Sequence, residues 1–285
     1  MDELIRDIIN NEIEGDYYQF PAISSSRLKK WISSPSHFLT NLQKEATPAM
    51  DKGTALHCLI LEEQLFNQSY VKFTKPFPGA TMSKRENKEA KLKLIESGVI
   101  PVDVDFWDEL QNMRNAINSH KVAESCFFRG DSINEIGLSW THESGLACKI
   151  KPDRLKFVKD SILPIDLKKC VDASKKGFMK ACTNYHYPLQ AALYDMGLRA
   201  CFPDKEIQPF HFIMIEEKHP HYLQHYIIED WQIKVIQQWI DATLFKIADL
   251  IKYKHLFRSY SHPEDKNGGL IEIELPDYYL NNYSS

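Results

Sequence analysis

Three ionisable residues with short spacing lie in the most strand-like part of the chain. Asp166 and Lys168 are two residues apart in the segment SILPIDLKKC, and Asp153 lies in the preceding segment GLACKIKPDRLKFV. Because side chains two apart on a strand point to the same side, Asp166 and Lys168 share one face of a sheet. A tight connection between the two strands would bring Asp153 alongside Asp166, so that two carboxylates and an ammonium group converge.

This set of groups suits one kind of chemistry. Two carboxylates that converge in a partly buried site repel each other, and a divalent cation removes that repulsion. Mg²⁺ prefers carboxylate, water and phosphate oxygens. A cation held there activates water for attack on a phosphodiester, and a nearby lysine orients the water or stabilises charge on the phosphate. The D-x-K triplet alone is more often a structural charge cluster on a solvated sheet face, so the interpretation depends on the whole set.

Five motifs, which follow one another along the chain in the order typical of the family, resemble the PD-(D/E)XK nuclease superfamily. KPD at 151–153 and IDLKK at 165–169 match its core. GTALH, which ends at His57, and YPLQAALY resemble motifs of the RecB, lambda-exonuclease and RecE branch. SSSRLKKWISSPSHF and GLACKIKPDRL look most like the RecE type, exonuclease VIII. The resemblance covers about Pro21 to Asp230.

The resemblance implies a role for each matching residue of the core. Asp153 and Asp166 would be metal ligands, His57 a ligand or a neighbour of the metal, and the backbone carbonyl of Leu167 a further ligand. Lys168 would be the catalytic lysine. The alternative for His57 is a histidine on an apolar helix that lies in the hydrophobic core and has its hydrogen bonds satisfied.

Three further residues are candidates for the same site. The resemblance implies that Gln190 and Tyr194 line it, and their i, i+4 spacing independently places them on one helical face. The alternative is that both are ordinary residues of the helix surface and core, without a role in the site. Glu135, on the strand INEIGLSW, is a candidate additional acid for the metal, or else a solvated strand carboxylate.

Basic residues are concentrated around the proposed site. Between Lys149 and Lys180 the chain has ten Lys or Arg and four Asp, an excess that suits a phosphate-lined groove. The candidate DNA contacts are Arg154, Lys169, Lys175 and Lys176, together with Arg27, Lys29 and Lys30 on an early helix. For each of them singly, the alternative is a solvated charge.

Composition excludes several classes of protein and site. A net charge of −4 over 285 residues excludes a uniformly basic nucleic-acid coat. The six cysteines show no CxxC pair, so we expect neither zinc, disulfides nor an iron–sulfur cluster. There is no P-loop motif and hence no expected use of ATP. The acidic N-terminus does not read as a signal peptide, and no apolar run reaches membrane length, so we expect no membrane association and a cytoplasmic location.

The apolar pattern predicts helices, then a sheet, then helices. The fold expected is α/β, with a restriction-endonuclease-like PD-(D/E)XK core, a central mixed β-sheet flanked by helices, and a helical N-terminal region. We predict one domain over 1–285, comprising a mostly helical part (1–130), a catalytic sheet and helix (131–230), and a C-terminal helix and tail (231–285). The elements predicted most clearly are helices over 51–66, 175–201 and 231–254, and strands over 133–140, 145–158, 161–170, 209–217 and 222–230.

The resemblance implies a function in more detail than the residues do. It implies a Mg²⁺-dependent exonuclease, with Mn²⁺ expected to substitute, that degrades one strand of duplex DNA from its ends in the 5′→3′ direction. The remaining 3′ strand would serve recombination by annealing. It also implies a ring-shaped homo-oligomer (a trimer or tetramer) and a RecT-like annealing partner in a bacterial or phage-infected cell. The rivals are an endonuclease or a nuclease of other polarity, and a non-catalytic DNA-end-binding module.

Overall fold

A computed structural model describes residue 8 and residues 10–39, 48–77, 79 and 81–253. The helices are α1 (Ser25–Ser33), α2 (Pro35–Leu39), α3 (Pro48–Leu61), α4 (Glu63–Ser69), α5 (Arg85–Glu96), α6 (Val104–Ser119), α7 (Lys121–Phe128), α8 (Lys175–Tyr185), α9 (Tyr187–Cys201) and α10 (Asp230–Lys252). The strands are β1 (Tyr70–Phe73), β2 (Ile100–Asp103), β3 (Ser132–Asn134), β4 (Leu138–Thr141), β5 (Ala147–Ile150), β6 (Arg154–Val158), β7 (Ser161–Cys170), β8 (Glu206–Ile207), β9 (His211–Glu216) and β10 (Leu223–Tyr226).

The main sheet is mixed and is organised around β7. Its strand order is β10-β9-β7-β6-β3, and the short β8 also pairs with β7. β7 is antiparallel to β6 and parallel to β9, with Arg154 opposite Ile165 and Lys168 opposite Met214. Within the described residues, β4–β5 forms a separate hairpin and β1–β2 a separate parallel pair. The expected central mixed sheet flanked by helices is confirmed.

The sheet separates two hydrophobic cores because its central strands alternate their side chains. On β9, Phe212 and Met214 pack into the core formed with α9 and α10. Ile213 and Ile215 pack on the opposite side, against α3, α6 and α7. On β7 the residues facing that second core are Ile165 and Leu167, so Asp166 and Lys168 point toward α9.

Several predicted elements are interrupted in the structure. The strand predicted over 133–140 is wrong as one element, because Glu135 has a left-handed backbone (φ 53°) that separates β3 from β4. The strand predicted over 145–158 breaks at 151–153, where Pro152 cannot donate a ladder hydrogen bond. The helix over 175–201 is divided at His186, which also has a left-handed backbone (φ 54°).

Other predicted boundaries shift or fall outside the described residues. The helix predicted over 51–66 begins at Pro48 and is interrupted at Glu62, which separates α3 from α4. The predicted tail beyond residue 253 and most of the N-terminal helix lie outside the described residues. Every helix in the described part of the chain is too short or too polar to cross a bilayer.

Candidate active site

The break between β5 and β6 places Asp153 against the middle of β7. Asp153 is 9% exposed, and its Oδ2 accepts a hydrogen bond of 2.7 Å from the backbone N–H of Leu167. The carbonyl of Leu167 accepts one of 2.7 Å from Nε2 of His57, which comes from α3. The other imidazole nitrogen, Nδ1, lies 3.5 Å from Oδ2 of Asp153. Three residues named by sequence motifs are therefore in direct mutual contact.

Glu135 joins this group from the break between β3 and β4. Its backbone N–H donates to the carbonyl of Asp153 (3.0 Å), which fixes the two breaks side by side. Its carboxylate lies 3.9 Å from Nδ1 of His57 and 2.8 Å from Nζ of Lys151. His57, Glu135 and Asp153 each offer one ligand atom, and these atoms lie within 4.8 Å of one another. Glu135 therefore lies in the site as an acid, although not on a strand.

Asp166 lies next to this group but makes different contacts. It is 0% exposed, and its Oδ1 accepts a hydrogen bond of 2.8 Å from Nε2 of Gln190 on α9. Its Oδ2 lies 2.5 Å from Nζ of Lys168. That approach is within ion-pair distance but outside hydrogen-bond geometry, and among the described residues Oδ2 has no hydrogen-bond donor. The contact is an ion pair between two charged groups, and it leaves Oδ2 with a free lone pair.

Tyr194 supports the site from the same helix face as Gln190. Its hydroxyl donates to the carbonyl of Lys151 (3.0 Å), at the start of the break that carries Asp153. Burial raises the pKa of Tyr194 well above its usual value, so the hydroxyl keeps the proton that it donates. Gln190 and Tyr194 thus hold Asp166 and the Asp153 turn, respectively, rather than standing free in a pocket.

The charges of the site are strongly coupled. Burial, and then the negative charge of Asp166, raise the pKa of Asp153 to about 6. Burial works against a charged His57, but Asp153 and Glu135 outweigh it and raise the pKa of His57 to about 9. Burial likewise disfavours a charged Lys168, but Asp166 and Asp153 raise its pKa above the usual value. The carboxylates of the site therefore favour the protonated, positively charged forms of His57 and Lys168.

The donor set fits a divalent cation. Carboxylates from Glu135 and Asp153, a backbone carbonyl at Leu167 and one imidazole are ligands that Mg²⁺ and Mn²⁺ accept, with the oxygen majority favouring these hard ions. With its pKa raised to about 9, His57 supplies a positive charge beside both acids at neutral pH. Asp166 adds a buried carboxylate on the neighbouring position of β7, turned toward Lys168.

The predicted DNA contacts divide into buried, paired and exposed residues. Arg154 is wrong as a DNA contact, because it is 6% exposed and donates to Asn134 (2.9 Å) inside the fold. Lys169 is paired with Glu217 (2.7 Å). Lys175 and Lys176 are exposed at the start of α8.

The early helix α1 also approaches the site. Burial, and then the positive charge of Lys168, lower the pKa of Lys29 to about 8, which places Lys29 in the field of the site. The guanidinium of Arg27 lies 4.3 Å from the ring centre of Phe38. Of these two cations, only Lys29 is electrostatically coupled to Lys168.

Two residues of the site were missed by sequence reasoning. Lys151 pairs with Glu135, and the ring centre of Tyr187 lies 5.5 Å from Nζ of Lys168. Lys151 stands in the KPD motif two residues before Asp153, so its position could have signalled a role. Nothing in the spacing of Tyr187 distinguishes it from an ordinary core tyrosine.

Solved structures include one with a fold similar to that of this chain. The crystal structure of a "putative exonuclease" from Eubacterium rectale has a similar fold, with a TM-score of 0.57 and 11% sequence identity over 95% of this chain and 99% of that chain. At this identity the likeness shows a shared fold alone. A structure of SSO0001 matches 70% of this chain and 86% of that chain at 14% identity, but its TM-score of 0.27 supports no argument.

Sequence comparison identifies a family. A search against curated proteins gave no match. Residues 24–260 match DUF3799, described as a "PDDEXK-like domain of unknown function". The match spans most of the chain, including His57, Glu135, Asp153, Asp166 and Lys168. The chain therefore belongs to the DUF3799 family of PDDEXK-like domains.

Proposed function

We propose that the chain is a divalent-cation-dependent nuclease that degrades double-stranded DNA from its ends. The observation that carries the proposal is the convergence of one ligand atom each from His57, Glu135 and Asp153 within 4.8 Å, beside the buried Asp166 and its ion-pair partner Lys168. The PDDEXK-like family and the description of the Eubacterium rectale structure support the same class of activity.

Each residue contributes differently to phosphodiester hydrolysis. A bound cation, Mg²⁺ or Mn²⁺, would supply Lewis acidity at the phosphate and lower the pKa of a coordinated water. Asp153, Asp166, His57 and the Leu167 carbonyl would hold it, with Glu135 as an additional acid. Lys168 keeps its proton and so stabilises negative charge that develops on the phosphate, while Asp166 fixes the position of the ammonium group.

Gln190 and Tyr194, both on α9, support the site residues by hydrogen bonds. Gln190 leaves one oxygen of Asp166 directed at Lys168 by binding the other. Tyr194 holds the backbone at Lys151, from which the chain enters Asp153. Both therefore fix ligand geometry before substrate arrives, which is how the supporting groups of a metal site act.

The finer features of the proposal come from the RecE-type resemblance of the five motifs. These are 5′→3′ polarity, a 3′ single strand for recombination by annealing, a ring-shaped homo-oligomer and a RecT-like partner in the cytoplasm of a bacterial or phage-infected cell. A basic α8 and a partly buried Lys29 beside the site are consistent with a phosphate backbone passing there.

The test uses end-labelled linear duplex and closed circular duplex with Mg²⁺, and compares the wild type with Lys168→Ala and Asp166→Ala. We expect the wild type to digest linear DNA from its ends and to leave the closed circle intact, and both variants to lose activity. Cleavage of the circle would show an endonuclease. Binding of ends without digestion in Mg²⁺ or Mn²⁺ would show a DNA-end-binding module, and equal digestion by the variants would refute the site assignment.

A further inference from the structure

Two stacked tyrosines connect Lys168 with the protein surface. The ring of Tyr187 is 9% exposed, and its centre lies 5.5 Å from Nζ of Lys168. The ring of Tyr185 stacks on Tyr187 with a centroid separation of 5.7 Å and an interplanar angle of 28°. Tyr185 is 59% exposed. The ring centre of this exposed tyrosine is thus no more than about 11 Å from the ammonium group, since the two separations are 5.5 and 5.7 Å.

The backbone and the core hold this pair rigidly. Tyr185 ends α8 and Tyr187 begins α9, and the left-handed backbone of His186 between them (φ 54°) brings the two rings onto the same side. Tyr187 also stacks on Phe212 of β9 (5.6 Å, 24°). Tyr185 therefore lies on a stack that is anchored in the sheet, so its ring is pre-ordered at little entropic cost.

The helix that ends in Tyr185 is basic. The sequence of α8, KKGFMKACTNY, contains three lysines and no acid, and Lys175, Lys176 and Lys180 are exposed. The helix follows directly on β7, the strand that carries Asp166 and Lys168. Exposed cations on the same helix as an exposed aromatic ring are a combination with which proteins bind single strands, by neutralising phosphates and stacking on bases.

We propose that Tyr185 stacks on a base of the DNA strand being cut, within about three nucleotides of the scissile phosphate, since successive nucleotides are separated by about 3.4 Å in a duplex and by more in an unpaired strand. The lysines of α8 contact the phosphates of the same strand. The inference rests on the proposed function, since it takes the strand held at Lys168 as the ligand. It adds a residue outside the sequence motifs that positions the strand and favours ends whose bases are already unpaired.

The experiment combines variants of Tyr185 with substrates that lack one base. The variants are Tyr185→Ala, Tyr185→Phe, which keeps the ring, and Tyr185→Leu, which keeps apolar cover on Tyr187 without a flat face. Tyr253→Ala is the control, because Tyr253 is an exposed tyrosine far from the site. It lies two helical turns beyond Phe245. The ring of Phe245 contacts His142 at the tip of the β4–β5 hairpin, which is the end away from Asp153. Duplexes carry a frayed end with an abasic nucleotide at each of the first four positions in turn. KM and kcat are measured with Mg²⁺, and binding by fluorescence anisotropy in EDTA.

We expect Tyr185→Ala and Tyr185→Leu to raise KM and Kd about tenfold, equivalent to 1.4 kcal/mol, with kcat changed less than twofold. Tyr185→Phe and Tyr253→Ala should match the wild type. With the abasic nucleotide at one of the four positions, KM and Kd of the wild type should rise by the same factor. KM and Kd of Tyr185→Ala should rise no further on that substrate, because the stacking interaction is already absent.

Wild-type behaviour of Tyr185→Ala, or an equal additional loss at all four abasic positions, would overturn the inference. A wild type that digests no DNA would overturn the proposed function instead. In that case the anisotropy series still decides whether Tyr185 contacts a base, so the two failures are distinguishable.

Discussion

Oδ2 of Asp153 accepts a 2.7 Å hydrogen bond from the backbone N–H of Leu167. The carbonyl of Leu167 accepts a 2.7 Å hydrogen bond from His57. Motif residues from other parts of the chain therefore bind both polar backbone groups of Leu167. Because the geometry is set by backbone atoms in the middle of β7, the positions of Asp153 and His57 depend little on surface loops. The site is thus preorganised by the fold.

Replacing Glu135 with Gln should weaken binding of Mg²⁺ and Mn²⁺ by about tenfold or more, since the change removes one of two converging carboxylates while keeping a group that reaches Lys151. Calorimetric titration measures this. Glu206→Gln is the control, because Glu206 is an exposed acid bonded to Ser161. Unchanged affinity in Glu135→Gln would remove Glu135 from the ligand set.

Replacing Gln190 with Ala should lower the free energy of unfolding by about 1–3 kcal/mol, because a buried oxygen of Asp166 loses its donor. Activity should fall as well, since Asp166 can then rotate away from Lys168. Gln237→Ala is matched, as Gln237 also donates to a carboxylate, that of Asp195 (2.7 Å). Urea unfolding with digestion assays checks both, and a loss of activity in the Gln237 variant equal to that in the Gln190 variant would contradict the assignment.

Lys168→Met should destabilise the cation-free protein by about 3–5 kcal/mol, because it leaves the fully buried Asp166 without its counter-ion. Added Mn²⁺ should recover part of this loss by binding the native state. The neighbouring Lys169→Met removes a partly exposed pair with Glu217 and should cost about 1 kcal/mol or less. Thermal unfolding with and without Mn²⁺ measures the difference, and equal effects of the two changes would count against a buried Asp166–Lys168 pair.

Cation binding should release about one proton at pH 7, since a ligand must be deprotonated and the pKa of His57 is raised to about 9. The raised pKa means that a proton competes with the cation, so affinity should rise with pH up to about 9, by about tenfold per unit. Below about pH 6 protonation of Asp153 should weaken binding further. Calorimetry in two buffers with different ionisation enthalpies gives the proton count. A count of zero, or no change in the count in His57→Asn, would contradict this.

The sequence was most informative where local pattern and chemistry coincide. The alternation in SILPIDLKKC and the turn at Lys159–Asp160 predict β7 within its observed bounds, and with it the shared face of Asp166 and Lys168. The central mixed sheet follows from the same pattern and from the resemblance.

What could not be predicted lies at interruptions of the regular pattern. Period-two spacing continues through Glu135, although its left-handed backbone there breaks the strand and directs its carboxylate to His57. Pro152 was a usable signal for the second break. The alternation of side chains did not predict the strands β1 and β2, which have four residues each. The stacking of Tyr185 on Tyr187 depends on His186, and no local rule predicts that a histidine adopts this conformation.

Crystals of the protein grown with Mn²⁺, with anomalous scattering recorded from the ion, test the central claim most directly. The account predicts a peak bounded by Asp153, Glu135, His57 and the Leu167 carbonyl, and its loss in Asp153→Asn. A well-diffracting crystal with no peak between these residues, or a peak that persists in Asp153→Asn, would contradict it.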